Sequence, residues 1–307
     1  MIPDQAARPS LDHTDWVRAM RAGDYSRAWA LAAQTLAARG AATRDDPALP
    51  YHLRWVWDGT PVDGRDVLVR CYHGLGDVIQ FARYLPLLGR RARSVILEAP
   101  PRLVPLLAEM AGVDRLVSFD VAAPLPPAEC DLEIMDLPFA LRAEPAAACI
   151  PYLHAPRAPL PAGTIGLCYQ AGGWDPARSV PPGLLTAIAA DHPCLSLVSE
   201  ASELPVLNPA GCPFDVPATA SLVAGCALVI TVDTMVAHLA GALGRPTWLL
   251  LRQDPDWRWP DRGTHTPWYP TMRLFHQPRP GDWLAVVAAV QRQLDAGAAE
   301  IRQEAAR

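Results

Sequence analysis

Short continuous apolar runs alternate with stretches of helical periodicity along most of this chain. The run Val67–Tyr72 reads as a buried parallel strand. Gly74 and Gly76 follow it as a tight turn. Asp77 stands where a helix begins, with Val78, Phe81, Ala82 and Leu85 recurring behind it at helical spacing. The stretch Leu228–Pro246 repeats the plan: a buried strand, polar Asp233 and Thr234 at the junction, then a helix carrying His238. A strand, a turn and a helix N-terminus together make an anion site, because unpaired N–H groups converge there. Two such units about half the chain apart predict two Rossmann-like halves facing one cleft.

The remaining pattern fills in that outline. A helical hairpin is expected over 1–45, with residues 1–12 frayed and a break at Gly23-Asp24. The piece Ala22–Ala32 resembles the second half of a tetratricopeptide hairpin, but one unit is too few for a solenoid. Residues 46–155 form the first Rossmann-like domain, opening with Tyr51–Gly59 as an added strand or edge cap. Strands are expected at Ser94–Ala99, Leu116–Phe119 and Asp131–Met135, with a helix at Pro101–Met110. A proline-bearing linker, 151–163, leads to the second domain, 160–282. Its strands are Thr164–Tyr169, Cys194–Ser199, Leu228–Val232 and Thr247–Leu251, with helices at Pro182–Ala190 and Ala218–Gly225. Residues 283–307 are a closing helix expected to return to the first domain. Alternating strands and helices require parallel sheets covered on both faces.

Composition narrows the class. The chain has 307 residues, half of them hydrophobic and about a fifth charged, which suits a globular two-domain protein. A net charge of -5 disfavours nucleic-acid binding. All 27 basic residues are arginine, which excludes a catalytic lysine. The seven cysteines show no metal-ligand spacing, so reduced thiols and a cytoplasmic location are expected. The first residues lack a signal-peptide pattern, and the apolar runs are too short to span a bilayer.

Gly74-Leu-Gly-Asp77 with Gln80-Phe-Ala-Arg-Tyr-Leu-Pro86, and Val232-Asp-Thr-Met-Val-Ala-His238 with Gly241-Ala-Leu-Gly-Arg-Pro246, carry a family likeness. In these motifs the chain resembles the ADP-heptose:lipopolysaccharide heptosyltransferases, glycosyltransferase family nine, over about 50–295. Asp256-Trp-Arg-Trp259, Pro267-Trp-Tyr-Pro270 and Pro278–Trp283 look like its branch with preceding tetratricopeptide helices. The resemblance implies an α/β GT-B fold with the active site between two Rossmann-like domains. It implies inverting sugar transfer from a nucleotide-diphosphate donor, such as ADP-heptose, to a saccharide or glycolipid. No cofactor or metal is implied, and the place is the cytoplasm, at most peripherally at the inner membrane face.

Residue by residue, Asp77 matches the family's catalytic aspartate; the alternative is a helix cap. Asp233 and Thr234 match the donor-site pair, with amides that would cradle the diphosphate; there too a cap is the alternative. Met235 and His238 follow on the same helix, and His238 reads equally as a packing residue. The donor set is completed by Gly76, Gln170, Arg178 and Glu200. Arg178 stands in for a basic residue that is lysine in many members, and Glu200 reads as a ribose ligand or a solvated charge. His73 and Arg83 are the acceptor candidates. The loop Gly172-Gly-Trp-Asp-Pro176 departs from the family's usual Gly-Asn-Pro. That departure keeps a noncatalytic, ligand- or partner-binding relative as the alternative. A nicotinamide dehydrogenase is disfavoured, since neither turn reads Gly-x-Gly-x-x-Gly.

Arg90, Arg91 and Arg93 form a basic cluster, read as a solvated face or an anionic-acceptor contact. Trp257, Trp259 and Trp268 read as packing residues or as flanks of a base or sugar.

Overall fold

The computed structural model describes residues 13–37, 46, 48–50, 54, 57–173 and 175–305. The expectations for residues 1–12 and for most of Tyr51–Gly59 lie outside these. The chain divides into two compact units, Met1–Cys149 with Asp256–Pro260, and Ile150–Pro255 with Asp261–Arg307.

The first unit opens with α1 (His13–Arg21) and α2 (Tyr25–Ala37). The chain reverses at Gly23, whose φ of 72° is strained for any residue with a Cβ. Asp24 Oδ1 then accepts from the Arg27 amide at 3.1 Å and caps α2. Trp16 meets Trp257 edge-on at 4.9 Å, so the hairpin is tied to residues 256–260.

The unit's sheet is parallel in the order β3-β2-β1-β4, with β1 Asp66–Arg70, β2 Ser94–Ala99, β3 Arg115–Ser118 and β4 Cys130–Glu133. Helices α3 (Leu75–Phe81) and α4 (Leu85–Gly89) follow β1. The helix expected over Pro101–Met110 contracts to α5 (Val104–Leu107), because Pro100, Pro101 and Pro105 withhold amides from the ladder. After β4 comes α6 (Leu137–Leu141). Fully buried Arg70 pairs with Glu98 at 3.2 Å and Asp131 at 2.8 Å, and donates to Leu125 O. This network pins the proline-rich loop over the sheet end. Breaking it by removing one partner costs about 3–5 kcal/mol, because the others stay buried and charged.

The second unit has the parallel order β6-β5-β7-β8-β9, with β5 Ile165–Cys168, β6 Cys194–Ser196, β7 Leu228–Val232, β8 Thr247–Leu251 and β9 Met272–His276. β9 is absent from the sequence reading. Its helices are α7 (Thr186–Asp191), entered through a 3-10 turn at Pro182–Leu185, then α8 (Val216–Gly225), α9 (Met235–Ala242) and α10 (Trp283–Ala305).

One expectation is corrected here. α10 does not return to the first domain: Trp283, Val286, Val287 and Val290 are buried in the second unit's core with Ile188, Leu250 and Phe275. The helix stripe fits the face of the sheet beside β9, and burying it there removes four large apolar side chains from water, each worth about 1.5–3 kcal/mol. What joins the first unit instead is the short segment Asp256–Pro260.

Both sheets have a topological switch point. In the first, chain order leaves β1 toward β2 on one side and returns to β4 on the other. In the second, it leaves β5 toward β6 and returns to β7. Carboxyl ends of strands at such points form the crevice where ligands bind in open α/β sheets.

Candidate functional site

In the first unit the switch point is lined by the loop after β1 and by the end of β4. Asp77 is not the first residue of its helix. Gly74 is the N-cap, and Asp77 is the third helical residue, where its Oδ2 accepts from the Gly74 amide at 3.0 Å. The sequence shift is small and its cause plain: Leu75 and Gly76 look like turn but already carry helical dihedrals. Gly76 therefore lies inside the first turn of α3.

The other oxygen of Asp77 is taken by an unforeseen residue. Arg258 Nη2 donates to Asp77 Oδ1, its Nε donates to Gln80 Oε1 at 2.6 Å, and its Nη1 donates to Asp256 Oδ1 at 2.8 Å. Its guanidinium lies 4.4 Å from the Trp257 ring centre, a cation–π contact. Trp259 is fully buried and Trp268 nearly so, which favours packing over stacking on a ligand. The signal for Arg258 was present, an arginine between two tryptophans and two residues after an aspartate. Its partner lies 181 residues away, so no local pattern names it.

Glu133, at the end of β4, was also missed. Its Oε2 accepts from the Met135 amide at 2.7 Å, while Oε1 is buried without a hydrogen-bond partner among the described residues. Burial, and next the neighbouring Asp136 carboxylate, push its pKa well above the ordinary value of 4.5. His73 is half-exposed, with Nε2 4.0 Å from Glu133 Oε1. Arg83 corrects the acceptor expectation: it is buried, its Nε donates to Gln80 O at 2.9 Å, and it offers no surface to a ligand. Arg91 is held by Asp63 at 2.7 Å and Arg93 by Asp66 at 2.6 Å and Glu129 at 2.8 Å. Those two cations of the basic cluster are held by carboxylates of their own unit.

In the second unit the switch point brings together the loop after β5 and the junction after β7. Thr234 is the N-cap of α9, its Oγ1 accepting from the Val236 amide at 3.2 Å. Asp233, buried, directly follows β7. Arg178 comes from the facing loop and donates from Nη1 to Asp233 O at 2.7 Å. Asp175 bridges two guanidiniums, 3.6 Å from Arg178 Nε and 2.9 Å from Arg252 Nη1. A cation beside a helix N-terminus makes an anion site with two independent sources of positive potential. Met235 starts α9. Gln170 is exposed at the loop's start, and exposed Glu200 accepts from Ser199 Oγ at 3.0 Å beyond β6. His238 is buried one turn into α9, with Nδ1 3.0 Å from the Tyr269 hydroxyl. Its tie is to the core, as in the packing reading.

Arg178, Asp233 and Thr234 thus converge, Met235 follows as the first residue of α9, Gln170 and Glu200 lie on the loops after β5 and β6, and His238 is buried one turn on. Among the described residues no cluster of three or more His, Cys, Asp or Glu could hold a metal ion, and no helix is long and apolar enough to cross a membrane.

Two parallel Rossmann-like sheets, each with its polar junction at a switch point, define an α/β fold of the GT-B class. Among solved structures, the chain is similar to a family 9 glycosyl transferase from Veillonella parvula, with TM-score 0.51 and 12% identity over 71% of this chain and 87% of that one. It is also similar to TibC of enterotoxigenic E. coli, an iron-containing dodecameric glycosyltransferase, with TM-score 0.52 and 13% identity. That match covers 74% of this chain and 66% of TibC. At these identities the likeness shows the fold alone. No protein-family model and no curated protein matches the chain.

Proposed function

We propose that the protein is a glycosyltransferase of the family-nine kind, moving a sugar from a nucleotide-diphosphate donor to a saccharide or glycolipid acceptor. The observation that carries this is Arg178, held at the N-terminus of α9 with Nη1 2.7 Å from Asp233 O. The amides that open α9 and this guanidinium would take the diphosphate. They would stabilise the charge that develops as the glycosidic bond to phosphate breaks. Asp233, an acceptor-only group, suits sugar hydroxyls. Gln170 and Glu200 extend the donor surface on the β6 side.

Transfer with inversion requires the acceptor oxygen to form its bond to the anomeric carbon as the diphosphate departs with the bonding pair. The hydroxyl proton goes to a base, and Asp77 is the residue we assign to it. Arg258 and the Gly74 amide fix its carboxylate plane while each oxygen keeps a lone pair. His73 borders the same crevice as an acceptor contact. The donor sugar, such as heptose, and a cytoplasmic place at the inner membrane face belong to this same reading.

Calorimetric titration with ADP, UDP and their sugars, run in EDTA and against NAD as control, tests it. Arg178→Ala should weaken diphosphate binding by about 1.5–3 kcal/mol, the range for a hydrogen bond to a charged group. Unchanged affinity with the fold intact would remove Arg178 from the site. A second reading, a noncatalytic relative that binds a sugar nucleotide, is favoured by one observation: both oxygens of Asp77 already have protein partners.

A further inference from the structure

The second unit contains a cavity of about 430 Å³ that the donor reading does not use. It lies over the ends of β8 and β9 and the start of α10, and Ala177 and Ser179, either side of Arg178 on the loop after β5, form part of its wall. Arg252, Gln277, Ser179 and Asp254 give it polar walls; Pro181 and Trp283 give it apolar ones.

One buried donor in this cavity lacks an acceptor among the described residues, and a part-exposed guanidinium has a nitrogen left over. Gln277 is nearly buried, and its Oε1 accepts from the Gly281 amide at 3.1 Å and the Gln253 amide at 3.4 Å. Two backbone N–H groups can only face oxygen, so the amide orientation is fixed and Nε2 points the other way. Nε2 is buried and has no hydrogen-bond partner among the described residues. Leaving such a donor unmade is costly, so its persistence calls for an acceptor from outside. Arg252 is the guanidinium. Its Nη1 is held by Asp175 at 2.9 Å and its Nε by Asp254 O at 2.5 Å, which leaves Nη2 to donate.

We propose that this cavity is a binding site for a carboxylate-bearing sugar of hexuronate size. A guanidinium already shared with Asp175, together with a neutral amide, suits a monoanion. A phosphate dianion would meet the nearby Asp175 and Asp254 carboxylates with too little positive charge to offset them. The exposed Pro181 and Pro280 rings suit the C–H face of a pyranose ring. The Ser179 hydroxyl and Asp254 supply partners for ring hydroxyls. The volume lies within the range of small-molecule sites.

Saturation-transfer NMR on the full chain, with D-glucuronate as ligand, D-glucose as neutral control and inorganic phosphate as a third probe, tests the site without any nucleotide. Glucuronate should bind and give saturation transfer, with glucose and phosphate at least about tenfold weaker. Gln277→Leu and Arg252→Met should each weaken glucuronate by about tenfold or more, the loss expected for one hydrogen bond to a charged group. Arg252 is over a third exposed, so its variant keeps the test sound should Gln277→Leu unfold. Absence of glucuronate binding, equal binding of glucose or phosphate, or full affinity in the folded variants would overturn the proposal. None of these results depends on whether a nucleotide binds at α9.

Discussion

Replacing Arg258 with alanine should destabilise the first unit by about 2–4 kcal/mol. The guanidinium is nearly buried and bonds three side chains, Asp77, Gln80 and Asp256. Asp77 and Asp256 keep a quarter to a third of their side-chain surface in water, so they resolvate when the cation leaves. Each of those pairs therefore contributes about 1 kcal/mol or less. Gln80 is fully buried, and losing this donor to its Oε1 costs about 1–3 kcal/mol. The stack on Trp257 adds about 0.5–1 kcal/mol. Urea unfolding followed by tryptophan fluorescence measures the sum, and a cycle with Gln80→Leu isolates the buried part. In the Gln80→Leu background the cost of Arg258→Ala should fall by at least about 1 kcal/mol. A single variant within about 0.5 kcal/mol of wild type, the range of ordinary surface substitutions, would refute the claim that this arginine holds the Asp77 turn.

Three further outcomes follow from the same geometry. Burial, first, and Asp136, second, raise the pKa of Glu133 above 4.5, so the folded chain binds its proton more tightly than the unfolded chain does. Stability from this group is whole below 4.5 and lost as pH rises toward the folded value. The melting temperature of Glu133→Gln should accordingly gain on wild type as pH rises above 4.5, and a gap independent of pH would contradict the assignment. A Cβ at Gly241 would lie 2.3 Å from the Tyr269 ring. Gly241→Ala should therefore cost about 1–3 kcal/mol in a thermal melt, by overpacking at the contact that holds His238. Of the seven cysteines only Cys149 is exposed, so an aromatic disulfide reagent should titrate one thiol in the native protein and seven in denaturant.

Strands buried on both faces were legible because they read as mainly apolar runs: β1, β5, β7 and β8 all appeared within a residue or two. β9 was not, because Met272-Arg-Leu-Phe-His276 is an edge strand with polar positions after an irregular aromatic segment. The stripe on α10 announced that the helix packs, but a stripe carries no address, and its partner proved to be the second sheet. In the candidate site, Asp233 and Thr234 stand out in the sequence as a polar strand–helix junction, whereas Arg178 is named only by the resemblance. Arg258 and Glu133 do not stand out, since each gains its meaning from neighbours remote in sequence. Arg83 misled because it lies in a helix near the glycine turn, and nothing local distinguishes a buried arginine from one that faces a ligand.

The central claim is sugar transfer with Asp77 as the base, and one paired measurement tests it. Wild type and Asp77→Asn are incubated with a nucleotide-diphosphate sugar and envelope saccharide acceptors, donor affinity is measured by titration, and product is followed by mass. Asn keeps the size and the cap and loses only the charge. The account predicts an acceptor heavier by one sugar residue in wild type. In the variant it predicts unchanged donor affinity and transfer slower by about 10²–10⁴-fold, the worth of a positioned base. An Asn variant that binds donor and turns over like wild type would contradict it.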